Sequence, residues 1–267
     1  MSSPWIAALI AVFAWWFSTG LILWVVRHAD GGDPVAHGRN VFLGVPLFAL
    51  GVAGMVVSSA ELTTLNVYLA FLSTLIIWGW IELAFLAGVI TGPERRPCPE
   101  TLTGMDRFKR AWRTVSYHEL LLLFALLTIV VITTGAVNTV GFWAYLILFV
   151  ARISAKLNLF FGVPRINTEF VPQPLQHLKS YFRQGPITMA FPIGVTFLSV
   201  TAACFAERIY SATSVEAVAG FALLTALATL ATLEHWLMVV PLPDAKLWRW
   251  MLPDHPTTLA KDKTHEL

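Results

Sequence analysis

Charge is scarce in this chain. Asp, Glu, Lys and Arg make up 13% of its 267 residues, against about 25% in soluble domains. With 57% hydrophobic residues and a mean hydropathy of +0.68, that scarcity excludes an ordinary soluble domain. The formal net charge is only +2 and no basic stripe runs along any segment, which excludes a nucleic-acid partner. Cysteine is nearly absent: Cys98 stands in a polar stretch and Cys204 in an apolar one, so no disulfide framework is implied. The G-x-S-x-G elbow, the P-loop, G-x-G-x-x-G and H-E-x-x-H are all missing, and the histidines are not clustered as H-x-x-x-H. No internal repeat is present. No positively charged stretch precedes the first apolar run, which is therefore expected to span rather than to be cleaved as a signal.

Long apolar runs are what the chain has in abundance. A spanning helix needs about 20 mostly apolar residues, and seven stretches meet that need, at about 5–26, 41–59, 64–90, 115–136, 139–161, 188–208 and 216–240. The expected fold is all-α, a polytopic membrane bundle of about seven transmembrane helices in one domain over 1–255, with a polar tail over 256–267. The second stretch carries Gly44, Pro46, Gly51 and Gly54, which membrane helices tolerate where neighbours pack closely. Ser18, Thr19 and Gly20 read as a similar small-residue patch. Basic residues fall on alternate connections. Arg27 and Arg39 follow the first span, and Arg95, Arg96, Arg107, Lys109, Arg110 and Arg113 follow the third. Arg165, Lys179 and Arg183 follow the fifth, and Lys246, Arg249, Lys261 and Lys263 follow the seventh. Because positive loops stay in the cytoplasm, the N-terminus is expected outside and the C-terminus in the cytoplasm. Residues 91–114 begin as an irregular basic loop. In 162–187, Leu175, Leu178, Tyr181 and Phe182 before Gly185-Pro186 predict a short amphipathic surface helix.

Inside the apolar runs lies a set of ionisable residues: Glu82, His118, Glu119, Arg152, Glu234 and His235. Charge in hydrocarbon is costly, so such residues face a bundle interior and mark a site. At 1.5 Å per residue, Glu82 lies roughly 12 Å from the cytoplasmic end of its helix, His118 and Glu119 roughly 5 Å, Glu234 and His235 roughly 8 Å and Arg152 roughly 14 Å. Lys156 is one turn nearer than Arg152, Asn158 stands at the edge of this layer, and His37 and His177 are placed to cover it from the loops. Three chemistries compete. Glu82, His118, Glu119, Glu234 and His235 are the ligand types of a metal centre, in the extreme a di-iron site. The adjacent pairs His118-Glu119 and Glu234-His235 nevertheless differ from the Glu-x-x-His spacing of soluble di-iron bundles. Alternatively, His118 or His235 ligates the metal of a tetrapyrrole. In the third reading the three glutamates are balanced by Arg152, Lys156 and the histidines in a structural ion-pair network, the basic side chains snorkelling toward the interface.

Several strings carry a family resemblance: H-G-R-N-V-F at 37–42, W-G-W-I-E-L at 78–83, G-P-E-R-R-P-C-P at 92–99 and Y-H-E-L at 117–120. S-A-K-L-N-L-F-F-G-V-P-R-I-N-T-E-F at 154–170, L-Q-H-L-K-S-Y-F at 175–182 and E-H-W-L-M-V-V-P-L-P-D-A-K-L-W at 234–248 extend it. Together they resemble the photosynthetic complex assembly protein 2 family, of the PuhE type, over nearly the whole chain. The resemblance implies a bacterial inner, intracytoplasmic membrane location and a role in assembling reaction-centre and light-harvesting complexes or in supplying bacteriochlorophyll. Its implied partners are membrane lipid, subunits of those complexes and proteins of the bacteriochlorophyll pathway. No catalytic residue is carried over by it, and whether the chain is an enzyme stays open. The basic loops are expected to dock a partner or anionic lipid.

Overall fold

A computed structural model describes residues 3–33 and 35–241. The expected polar tail over 256–267 and the basic residues Lys246 and Arg249 before it lie outside the described residues. The architecture is all-α, with seven helices among the described residues long and apolar enough to cross a membrane. In chain order these are α1 (Pro4–Asp30), α2 (Ala36–Leu43) running into α3 (Val45–Ser59) as one span, α4 (Thr64–Leu86), α5 (Gly104–Thr133), α6 (Val140–Phe161), α7 (Ala190–Ser211) and α8 (Val215–Leu237).

The break between α2 and α3 has a local cause. Pro46 has no N–H to continue the helical ladder, and Gly44 leaves room for an indole. A Cβ on Gly44 would lie 2.9 Å from Trp80 Cδ1, and the Trp80 Nε1–H donates to the Val41 carbonyl at 3.0 Å. Further along, Gly51 lets α3 close onto Ile76 and Ile77 of α4, the small-residue packing that holds helices together in lipid. α4 is the hub. It packs against α1, α3, α5, α6 and α8, and Phe71, Ile81 and Ala84 on it are fully buried. α8 packs on α1, α6 and α7, so α4, α6 and α8 enclose the interior.

Two helix ends differ from the apolar runs. α4 stops at Leu86 because Gly88 takes a left-handed conformation, φ +70°, and the N–H groups of Val89 and Ile90 turn back to the Ala84 carbonyl, a glycine-capped end. α5 begins at Gly104 rather than near 115. Its first turns are charged, so they do not read as a span, yet they are structured: Arg107 stacks on Phe160 and donates to the carbonyls of Phe160 and Tyr181.

Between α6 and α7 the chain forms a strap across the end of the bundle that carries the polar layer. Val163 and Gln184 bridge its two limbs. The predicted amphipathic helix is 3₁₀ over Gln173–Tyr181. Leu175, Leu178 and Tyr181 are buried at a strict spacing of three, which aligns on one face of a 3₁₀ helix and drifts on an α-helix. The strap is tied at both sides. Arg165 N–H donates to the Met238 carbonyl, Arg27 donates to the Glu169 carbonyl, and the Asp30 carboxylate accepts from Gln173 N–H at 3.3 Å.

Candidate functional site: an ion-paired layer between two cavities

α6 supplies both cations of the layer. Its polar residues alternate as Arg152, Ser154, Lys156 and Asn158, so two faces of the helix become polar. Arg152 and Lys156, four apart and therefore on one face, point toward α4 and α5. Arg152 Nη2 donates to Glu82 Oε2 of α4 at 2.7 Å, and Lys156 Nζ donates to Glu119 Oε1 of α5. Both cations also lie over the ring of Phe85, the guanidinium carbon at 5.7 Å and the ammonium at 5.0 Å from its centroid. Like charges at this spacing repel, and here each is met by its own carboxylate.

Ser154 and Asn158 mark the other face. His235 of α8 is buried, with Nδ1 2.8 Å from the Ala231 carbonyl and Nε2 2.9 Å from Ser154 Oγ. Asn158 Nδ2 donates to the Ser154 carbonyl at 2.9 Å. Gly194 of α7 makes this possible, since a Cβ there would collide with Ser154 Oγ. The neighbouring Glu234 accepts a hydrogen bond from the Trp15 side chain of α1.

The expected set is thus gathered at one end of the bundle but divided. Glu82 and His118 face one another, with Glu82 Oε1 3.7 Å from His118 Nε2. Glu119 is turned to Lys156, while Glu234 and His235, about 100° apart on their helix, take separate partners. Among the described residues, no three His, Cys, Asp or Glu side chains group as a set able to hold a metal ion. Glu82 and Glu119 already neutralise Arg152 and Lys156, so a cation would have to displace one of these. His118 is 0% exposed with the Phe85 ring 4.3 Å from its own, and both nitrogens of His235 are engaged, so an axial bond to a tetrapyrrole metal from either would require these contacts to open.

Arg152 stands in a wall between two cavities, which Leu86, Leu159 and residues of the strap also line on both sides. The larger, about 490 Å³, lies among α1, α4, α6 and α8 beneath the strap and is lined by Trp15, Glu82, Arg152, Glu234 and His235. The smaller, about 300 Å³, lies among α4, α5, α6 and the strap and is lined by Phe85, Trp112, Glu119, Arg152, Lys156 and Phe160, among others. Several buried polar atoms around this wall have no hydrogen-bond partner among the described residues: Glu82 Oε1, both nitrogens of His118, Glu119 Oε2, Arg152 Nε and Asn158 Oδ1. Such a cluster is uncommon in a packed interior.

His37 and His177 lie outside both cavities. His37 Nε2 is 3.2 Å from Asp30 Oδ1, clasping α2 to α1. His177 sits on the 3₁₀ segment, where burial first, and Arg95 after it, pushes its pKa below the ordinary value. Glu94 nearby is held below the usual carboxylate range by the Arg96 backbone N–H and then by Arg110, and Arg110 also bonds the Tyr181 hydroxyl at 3.2 Å. Sequence reading passed over Ser154, Trp15 and Phe85. The alternation of polar residues along 152–158 is a signal that finds Ser154. Trp15 and Phe85, apolar residues in apolar runs, carry none.

A protein of Rhodobacter capsulatus, described as an uncharacterized 30.4 kDa protein in the puhA 5′ region, is 47% identical over 253 residues, covering 95% of this chain and 92% of the relative. No solved structure matches the chain. A family described as protein of unknown function DUF3623 matches residues 1–258. With a match of that extent, the chain belongs to the DUF3623 family.

Proposed function

We propose that the chain is a multi-pass accessory protein of the bacterial photosynthetic apparatus, acting in the assembly of reaction-centre and light-harvesting complexes or in bacteriochlorophyll supply. The observation that carries this reading is the relative described by its place in the puhA 5′ region, nearly half identical along almost its full length. The strings resembling the photosynthetic complex assembly protein 2 family support it from the residues. In this reading the protein resides in the inner, intracytoplasmic membrane with the strap in the cytoplasm. Arg95, Arg96, Lys109 and Arg113, all exposed on the strap side, then offer a basic surface to anionic lipid or to the acidic face of a complex subunit. The Glu82–Arg152 and Glu119–Lys156 pairs fix the register of α4, α5 and α6.

Deleting the gene in its native organism is expected to lower the near-infrared absorbance of the reaction-centre and light-harvesting complexes per cell, and a plasmid copy is expected to restore it. Unaltered spectra and unaltered bacteriochlorophyll content in the deletion strain would refute the proposal.

A further inference from the structure

The smaller cavity combines features that no structural role requires. Its walls are mostly aromatic and aliphatic: Phe85, Phe108 and Phe160 within the bundle, with Leu175 and Phe182 of the strap as a roof. The charged groups on its lining are Arg152, Lys156 and Glu119, and the Glu82 carboxylate that pairs with Arg152 lines the larger cavity instead. The Glu119 side chain is only 4% exposed, yet its Oε2 has no partner among the described residues, and the same holds for Arg152 Nε. Lys156 carries three donors and gives one to Glu119. Two donors of Lys156 and the Arg152 Nε–H thus stand against one unpartnered acceptor, Glu119 Oε2, a small number of polar groups on an apolar lining being the mark of a ligand site.

Depth orients what fits. Arg152 lies roughly 14 Å and Lys156 roughly 8 Å along α6 from its strap end, while the apolar side chains of the strap line the opposite end of the cavity. A ligand lying acid-inward, with its apolar body under the strap, brings its acid to both. Trp112, 46% exposed, stands on the lining of the cavity, which places the cavity next to the outer surface of the bundle.

We propose that this cavity binds an amphiphile with a single terminal acidic group, carboxylate or phosphate, its acid on the spare donors of Lys156 and Arg152 and its apolar body beneath the strap. Arg152 also borders the larger cavity and pairs with Glu82, so occupancy on one side pulls on a residue shared with the other. The site stands apart from the accessory-protein reading, which is decided by complex levels in cells, and either can fail alone.

The test uses the full chain purified in a maltoside detergent and titrated with 11-(dansylamino)undecanoic acid and with its methyl ester. The acid is expected to bind at least tenfold tighter than the ester. Dodecanoate and dodecyl phosphate compete where dodecanol does not, and whichever of the two competes more strongly identifies a carboxylate or a phosphate source. Glu119→Gln with Lys156→Gln keeps the layer neutral and is expected to weaken the acid at least tenfold while sparing the ester. Ala111→Phe, which fills the cavity and leaves every charge in place, is expected to abolish binding of both; thermal melting checks that each variant is folded. Equal affinity for acid and ester, or wild-type binding by a folded Ala111→Phe protein, overturns the proposal.

Discussion

At the scale of single residues, the layer is a set of paired charges whose members are not independent. Removing one partner of a buried ion pair strands the other, at a cost of about 3–5 kcal/mol. Arg152 keeps some exposure to its cavities, 31% of the side chain, so Arg152→Met is expected near the lower end of that range. Glu82→Gln added to it is expected to recover most of the loss, because no charge then remains unpaired. Thermal unfolding of the single and double variants in detergent measures this; additive losses would show that the pair is not coupled. His177 supplies the pH dependence on the strap. A histidine whose pKa falls on folding binds its proton more weakly when folded, so its contribution is complete above the unfolded value of about 6.5 and is lost as the pH drops below it. His177→Gln is expected to flatten the decline in melting temperature between pH 7 and pH 5. An unchanged slope would place the titrating group elsewhere.

At the scale of elements, the strap depends on how α4 ends. Gly88 holds a left-handed conformation and Pro174 of the strap lies against it. Gly88→Ala adds about 1–2 kcal/mol of backbone strain and a contact with Pro174. The expected result is a protein that still forms its spans but whose strap is cut faster by trypsin at Lys179 or Arg183. Equal cleavage rates would mean that the cap and the strap are uncoupled. α6 shows how one helix serves two neighbourhoods. Its residues at 152 and 156 belong to the α4–α5 side, and those at 154 and 158 to the α7–α8 side, a division set by 3.6 residues per turn.

At the scale of the whole molecule, the basic residues of the strap end predict its side of the membrane. Cys98, partly accessible on that end, is expected to react with a membrane-impermeant maleimide in inside-out vesicles and to be protected in intact spheroplasts. Labelling in spheroplasts would reverse the orientation. All seven spans were legible because each is an apolar run of the length a bilayer demands. The limits at α4 and α5 were not, since a helix stops at a cap or at a lost tertiary contact rather than where its hydropathy falls. For the site, the cost of charge in hydrocarbon exposed Glu82, His118, Glu119, Arg152, Glu234 and His235, but not which of them meet.

The amino-acid order alone determined the helical class, the number of spans and the presence of ionisable groups within them, because solvent and lipid act on each segment separately. The tertiary structure alone decided that Glu82 takes Arg152, that Glu119 takes Lys156 and that His235 turns to Ser154. Those choices rest on helix rotation and on close approaches at glycines such as Gly194, and rotation follows from packing against every neighbour at once.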